Sequence, residues 1–459
     1  MIFSAGFFLT GNFRYNREDR SHKGDWFMSR FQFRPATFKM VFFMYLLGTV
    51  IFAILYLLPV SHKQPLLPVD AFFLSASAIS ATGLSTVTVA QELTTAGKII
   101  LLIQMEIGGI GVMALVGALL IALRTNAPVP SQTLMIFDQN QNSSRSISKL
   151  MAFIVKYTLI VETAGFLLIL PSALQHGSHA FAAFFLSVST FTNAGFEISG
   201  NGLDNFKGEP FVLAVLSCMI ILGVLGFAVV MEFLQSRRKK KSLYFKVNVL
   251  MHGILLLAGF LFFFFVDFIH MPGLSFTEKI IQSLFFSAAP RSGGLASLDL
   301  HVFSFPSLLF MIMLMFIGGS PSSCAGGIRT TTFAVILAKL WSVIRGSNET
   351  HMFRKTLFAE DVNKAFLVFF AFLFLFFFSF FVLSFTEKAA PFPLAFEIMS
   401  ALSTCGFSLG ITAGLTVFGK IWLAFLMLIG RLGVIILIYT FMNQKKSTIK
   451  YAKESILIG

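Results

Sequence analysis

Phe73-Leu-Ser-Ala-Ser-Ala-Ile-Ser-Ala-Thr-Gly83-Leu-Ser85 is an apolar run, too short to cross a bilayer, that ends in small polar residues and a glycine. The chain contains this pattern four times. The second copy is Phe184-Phe-Leu-Ser-Val-Ser-Thr-Phe-Thr-Asn-Ala-Gly195-Phe and the third is Phe285-Phe-Ser-Ala-Ala-Pro-Arg-Ser-Gly-Gly294-Leu. The fourth is Phe396-Glu-Ile-Met-Ser-Ala-Leu-Ser-Thr-Cys-Gly406-Phe-Ser408. The four glycines lie 112, 99 and 112 residues apart, and each copy sits between long apolar segments. Recurrence at that spacing means one structural unit used four times.

Of 459 residues, 56% are hydrophobic and only 12% charged, and Phe alone occurs 59 times. A soluble chain carries about 25% charged residues. Runs of about 20 apolar residues suffice to cross a ~30 Å hydrocarbon core, and the sequence supplies eight of them. The expected class is therefore an all-α integral membrane protein. The net charge of +14 belongs to topology: of 35 Lys and Arg, 25 fall in alternate inter-span segments, whereas the opposite set of loops holds six. That bias puts both termini in the cytoplasm by the positive-inside rule and argues against a nucleic-acid surface. Cys218, Cys324 and Cys405 lie in apolar or small-residue stretches and read as free thiols. No His pair at helical spacing has the acidic neighbour of a metallohydrolase. The apolar start lacks a preceding basic region, so no cleaved signal peptide is expected.

The expected division is a cytoplasmic N-terminal segment 1–36, a first repeat 37–124, a linker 125–146, a second repeat 147–241 and a third 242–345. A linker 346–362, a fourth repeat 363–443 and a cytoplasmic tail 444–459 follow. Each repeat reads as span, half-span, turn, span. The second spans are expected near 96–123, 210–234 and 416–442, with that of the third repeat broken.

A half-span that enters and leaves on one side must end in non-helical backbone at membrane depth, tolerated only where protein shields it or it lines a wet cavity. Each such helix would point the negative end of its dipole at a common centre, and each turn offers carbonyls that can replace the hydration shell of a permeating cation. A lone glycine in a membrane helix most often serves close packing. Gly83, Gly195, Gly294 and Gly406, in register behind four half-spans, fit turns that crowd one axis.

In the third repeat, apolar helix can run only from about 303 to 317 before Gly318-Gly-Ser-Pro-Ser-Ser-Cys-Ala-Gly-Gly327, which holds four glycines and a proline. This stretch cannot be stable helix, so the span should break into a loop inside the membrane, a gate candidate. Aligning the second spans (Ile107-Gly-Gly-Ile-Gly111, Leu222-Gly-Val-Leu-Gly226, Ile317-Gly-Gly-Ser-Pro321, Ile429-Gly-Arg-Leu-Gly433) puts Arg431 at the level of Gly319. A buried Arg there must face the bundle interior. It can repel cations, hold the loop through carbonyls, or pair with Glu106 or Glu162. Arg291 can tune the field of the third turn or brace that turn through local carbonyls.

At these residues the sequence resembles the superfamily of potassium transporters that includes Trk, Ktr and the plant HKT proteins, and it looks closest to the bacterial Ktr membrane subunit. The resemblance rests on Ser80-Ala-Thr-Gly-Leu84, Asn193-Ala-Gly195, Arg291-Ser-Gly-Gly294 and Thr404-Cys-Gly-Phe407. It extends to Gly318-Gly-Ser-Pro321, Ala325-Gly-Gly-Ile-Arg-Thr-Thr-Thr332 and Gly430-Arg-Leu-Gly433. It implies four helix, pore helix, helix repeats in pseudo-fourfold arrangement around one pore in a bacterial cell membrane. The filter would comprise Thr82, Gly83, Asn193, Ala194, Gly195, Ser292, Gly293, Gly294, Thr404, Cys405 and Gly406. The gate would comprise Gly318, Gly319, Ser320, Pro321, Ser322, Ser323, Cys324, Ala325, Gly326, Gly327 and Arg431. It further implies potassium as substrate, uptake aided by sodium, a homodimer with the tail 456–459 at its interface, and a cytoplasmic ring of nucleotide-binding RCK subunits. No nucleotide fingerprint stands in a soluble segment of this chain, so a nucleotide would act only through such a partner. Ser322, Ser323 and Cys324 depart from the family's loop pattern.

Three alternatives bear on function. A sodium-selective member of the same fold is disfavoured by Gly83, because a serine at that place goes with sodium in the plant branch. A membrane enzyme acting on lipid would need a convergent His, Asp or Glu cluster near an interface, and the sequence shows none. A scaffold has no use for four filter-like turns.

Overall fold

The computed structural model describes residues 35–111, 147–200, 202–203, 206, 208–235, 241–434, 436 and 438. Residues 1–34, the linker 125–146 and the tail 444–459 lie outside the described residues, as do 112–123 of the span expected at 96–123 and 435, 437 and 439–442 of that expected at 416–442.

Among the described residues four helices are long and apolar enough to cross a membrane, and each opens one quarter of the chain. They are α1 (Pro35–Leu57), α4 (Ile147–Gln175), α8 (Leu243–Phe263, continued by a π-turn to Phe268) and α12 (Ala359–Thr386). Each is followed by a short buried helix: α2 (Pro68–Ile79), α5 (Ala180–Phe191), α9 (Phe276–Ala288) and α13 (Pro391–Leu402). At a helical rise of 1.5 Å per residue these reach only about 18–20 Å, short of a ~30 Å core. Their caps follow from the sequence. Pro stands in the first turn of α2 and α13, where a missing N–H costs nothing. Ser275 and Glu278 form a capping box on α9.

The third helices are α3 (Thr95–Ile110), α6 (Pro210–Val224), α10 (Phe305–Phe316) and α14 (Val417–Leu432). Here the sequence expectation needs correction. Only the third quarter was expected to break, yet each of these helices stops at or within its aligned glycine-bearing stretch, α10 earliest. Gly111, Gly226 and Gly433 take φ of +94°, +92° and +89° and end their helices. In the second quarter, α7 (Phe227–Gln235) resumes at 96° to α6. The expected continuous span 210–234 is therefore bent in two, so it counts as a fifth crossing only if both pieces are taken together. After α10 the chain runs as irregular backbone to α11 (Thr330–Ile344). The linker 346–362 also departs from an all-α reading. It holds a hairpin, β1 (His351–Met352) and β2 (Lys355–Thr356), turning at Phe353 and Arg354 with φ +50° and +61°.

The packing closes on itself. Within a quarter, the short helix lies against the long one (α1 on α2, α4 on α5, α8 on α9, α12 on α13). Between quarters, α3 packs on α5, α6 on α9, α10 on α13, and α14 returns to α2. Lys420 of α14 seals that last junction with Asp70 of α2, Nζ to Oδ1 2.7 Å. The four short helices are thus enclosed, and a core of Phe73, Phe191, Phe285, Phe286 and Phe396 packs them to the outer helices.

Candidate functional site

Three of the short helices end the same way. The N–H groups of Ala81 and Thr82 bond back to the carbonyls of Ala78 and Ser77, at 3.1 and 2.9 Å. Asn193 and Ala194 repeat this on Thr190 and Ser189, and Thr404 and Cys405 on Ala401 and Ser400. This double bond pattern is the Schellman closure, whose penultimate residue must be left-handed. Ala81, Asn193 and Thr404 have φ of +52°, +56° and +51°. Glycine is the usual occupant of this position. A β-branched Thr there stores about 1–3 kcal/mol of strain that surrounding structure must hold. The third helix differs because Pro290 lacks an N–H. It tightens into a 3₁₀ turn over 289–291, and Ser292 takes φ +137°.

Two residues after each of these positive-φ positions, in all four quarters, comes a glycine with positive φ: Gly83, Gly195, Gly294 and Gly406, at +98°, +70°, +64° and +97°. They meet. A Cβ added to Gly83 would stand 2.6 Å from the Ala194 carbonyl oxygen and 2.9 Å from Gly195 Cα. One on Gly195 would stand 2.8 Å from Gly294 Cα, and one on Gly294 2.7 Å from the Cys405 oxygen. One on Gly406 would overlap the Thr82 oxygen. The ring closes from first to fourth quarter with backbone against backbone.

The side chains around this ring are turned to bracing. Thr82 Oγ1 pairs with Ser80 Oγ at 2.6 Å, Asn193 Nδ2 donates to the Phe191 carbonyl at 3.3 Å, and Ser292 Oγ donates to the Thr404 carbonyl at 3.0 Å. Cys405 Sγ lies 3.2 Å from the Pro290 carbonyl. The carbonyls of Thr82, Ala194 and Cys405 are different. These residues are fully buried, and among the described residues no donor reaches those three oxygens. A buried carbonyl without a donor is costly. Three aimed at one ring form a main-chain site suited to a dehydrated cation.

Directly against this ring lies the broken segment of the third quarter. Residues Gly318 to Gly326 are buried, and Gly327 is half-buried. Its neck is closed by main-chain bonds, Gly318 N–H to the Ile328 carbonyl at 3.0 Å and Thr330 N–H to the Gly319 carbonyl at 3.0 Å. Its body is locked into the bend of α6 and α7: Ser320 and Cys324 donate N–H to the carbonyls of Val224 and Gly223 at 3.1 Å, and Phe227 N–H donates to the Ser322 carbonyl at 2.7 Å. The loop satisfies three of the backbone groups that the bend frees. Each break covers the other's orphaned polar atoms.

Both arginines act on this segment. Arg431 is 8% exposed, and its guanidinium donates to the carbonyls of Cys324, Gly108 and Gly109, the last at 2.7 Å. Of the expected alternatives, the hold on carbonyls is what forms; among the described residues Arg431 makes no ion pair with Glu106 or Glu162. Arg291 Nη2 reaches the Gly318 carbonyl at 3.5 Å, a long contact to the loop, and among the described residues no bond from it to its own turn is seen.

A cation transport model, TrkH, matches residues 31–450. The chain is 35% identical to Ktr system potassium uptake protein D of Bacillus subtilis over 90% of this chain and 95% of that one. It is 33% identical to Ktr system potassium uptake protein B of Vibrio alginolyticus over 89% and 91%. The chain belongs to the TrkH cation transport family. The potassium transporter TrkH of Vibrio parahaemolyticus shares the fold, with TM-score 0.73 at 17% identity over 90% of this chain and 86% of that one.

This TrkH-family chain has contacts to the irregular segment and the α6–α7 bend that its motifs did not disclose. On α8 the polar residues Tyr244, Asn248 and His252 recur every fourth position and so share one face. Tyr244 donates its hydroxyl to the Pro321 carbonyl at 2.6 Å, and His252 Nε2 lies 3.3 Å from the Val224 carbonyl. Polar side chains at helical spacing in an otherwise apolar membrane helix are the signal that could have found them.

Proposed function

We propose that this chain is the ion-translocating membrane subunit of a potassium uptake system. The short helices α2, α5, α9 and α13 act as pore helices of four repeats around one path. Thr82, Gly83, Asn193, Ala194, Gly195, Ser292, Gly293, Gly294, Thr404, Cys405 and Gly406 form its filter. The observation that carries this reading is the ring of four touching glycines with the donor-free carbonyls of Thr82, Ala194 and Cys405 beside it. Main-chain oxygens there replace water around a monovalent cation, and the negative ends of four helix dipoles favour positive charge at the same place. The membrane potential drives entry, about 2.3 kcal/mol per charge per 100 mV.

Residues 318–327 gate the path, with Arg431 holding the segment through the Cys324 carbonyl. Sodium stimulation, a homodimer, a cytoplasmic ring of nucleotide-binding subunits and placement in a bacterial cell membrane with both termini inside belong to the same reading. The names of the Ktr relatives support potassium as the cargo, and the name of the potassium/sodium uptake protein NtpJ of Enterococcus hirae, 31% identical, keeps a sodium-carrying alternative in view. The deciding experiment is potassium uptake, with and without sodium, into a potassium-starved host stripped of its own systems and supplied with a Ktr-type ring. Restored growth and uptake are expected; a chain that reaches the membrane yet moves sodium alone would give the second reading.

A further inference from the structure

Asn248 lies on α8 and is fully buried. Its Nδ2 donates to the Tyr244 carbonyl at 2.9 Å, one turn back along the helix, which fixes the side-chain amide. Its Oδ1 accepts two hydroxyls, Ser320 Oγ at 2.8 Å and Thr330 Oγ1 at 2.7 Å. Ser320 lies near the start of the irregular segment, and Thr330 is the first residue of the helix that follows it. Two residues on opposite sides of the loop therefore converge on one oxygen.

The main chain makes that convergence consequential. Because Thr330 N–H bonds the Gly319 carbonyl, the two ends of the loop form one neck and move as a unit. Within this neck, the two hydroxyls are the side-chain bonds to the amide of α8. Any displacement that carries the neck away from α8 must break both. All three hydrogen-bonding partners of the amide are protein groups, which explains how an uncharged polar side chain is accommodated in the interior of a membrane helix.

We infer that Asn248 is the latch of the intramembrane loop, a positioning residue that holds the neck of the segment against α8 and so sets how readily the segment leaves the ion path. This rests on the reading of 318–327 as a gate. Asn248 touches neither the glycine ring nor its carbonyls, so its loss should change how often the path is open and leave unchanged which ion passes. Two neutral hydrogen bonds together correspond to roughly tenfold in a closed-to-open ratio.

The test uses the full chain, expressed with its partner ring, and measures initial potassium uptake together with potassium-over-sodium preference. Asn248→Ala should raise uptake up to about tenfold with the preference unchanged. Ser320→Ala with Thr330→Val removes the same two bonds from the loop side and leaves α8 intact. It should raise uptake similarly, and adding Asn248→Ala to it should raise uptake no further. If Asn248→Ala does not reach the membrane, the loop-side pair alone carries the measurement. Deleting Ser320 to Ala325 separates the two levels of inference. If the deletion leaves uptake at the wild-type rate, the gate reading itself fails. If the deletion raises uptake while the loop-side pair leaves it unchanged, the gate stands and the latch is overturned. An altered ion preference, or additive effects of the two sets of substitutions, would likewise overturn the latch.

Discussion

The Thr404 side chain occupies the space that a Cβ on Gly326 would need, so the fourth turn of the glycine ring rests directly on the intramembrane loop. Thr404 is the strained, left-handed residue of that turn, with φ +51°. Strain that persists at a contact between two irregular segments is held by the packing around it. The contact makes ring and loop mechanically continuous without any shared hydrogen bond through the Thr404 hydroxyl, which has no partner among the described residues.

Gly326→Ala should therefore be disruptive although it adds one carbon. The new methyl overlaps Thr404 Oγ1 and stands 2.9 Å from the Ser403 carbonyl. Overpacking of this kind typically costs about 1–3 kcal/mol. A lower melting temperature in detergent and a changed uptake rate are expected. Adding Thr404→Ala should recover part of the stability, since it clears one obstacle and leaves the carbonyl. Wild-type melting of the single variant would show that the loop is not seated on the turn.

Gly83→Ser should weaken the preference for potassium over sodium. The backbone at Gly83 has φ +98°, which side chains rarely adopt, and the added Cβ would stand 2.6 Å from the Ala194 oxygen. The ring must widen or its carbonyls rotate, and both change the cation it fits best. Competition uptake with the two ions measures this, and an unchanged ratio would remove Gly83 from the filter.

The family, the short helices and the broken third-quarter span could be read from the sequence because each leaves a local trace: a repeated motif, an apolar run below spanning length, a cluster of glycines and a proline. The level at which the other third helices end was written too, in Gly111, Gly226 and Gly433. It was masked because apolar residues continue past each glycine and keep the hydropathy of a full span. The interlock of the α6–α7 bend with the loop was not legible at all. It joins Gly223 and Val224 to Ser320 and Cys324, about a hundred residues away, through main-chain atoms that no side-chain pattern encodes. Ala81 and Thr404 gave no hint of their turns, since their types argue against the left-handed conformation that the helix closures impose on them.

Arg431→Ala should raise uptake with ion preference preserved. It frees the Cys324 carbonyl on the loop and the Gly108 and Gly109 carbonyls on α3, and it removes a positive charge from beside the loop. Arg431→Lys separates the two contributions. Lysine keeps the charge but cannot present two nitrogens in a fixed plane to carbonyls on two elements. An increase that persists in Arg431→Lys assigns the role to tethering, whereas full recovery by lysine assigns it to charge. Wild-type uptake in the alanine variant would leave the arginine without a part in gating.

The bond between Lys420 and Asp70 offers a test of whether the ring of helices is closed by its first and last quarters. The two side chains are only 12% and 10% exposed, and they join residues 350 positions apart, α14 to α2. Removing one partner from so enclosed a pair leaves the other charge without compensation, a loss that reaches about 3–5 kcal/mol when burial is complete. Lys420→Met should lower the melting temperature strongly. Lys420→Met with Asp70→Leu should be less harmful than the single change, because no lone charge then remains. That ordering identifies a closing contact inside the protein, since a solvated surface pair would contribute about 0–1 kcal/mol and show no such rescue. If the pair closes the ring, its loss should also disturb potassium preference, because α2 carries Thr82 and Gly83 at its end and any rotation of α2 moves their carbonyls. Uptake selectivity measured on Lys420→Met beside its melting curve checks both consequences in one protein.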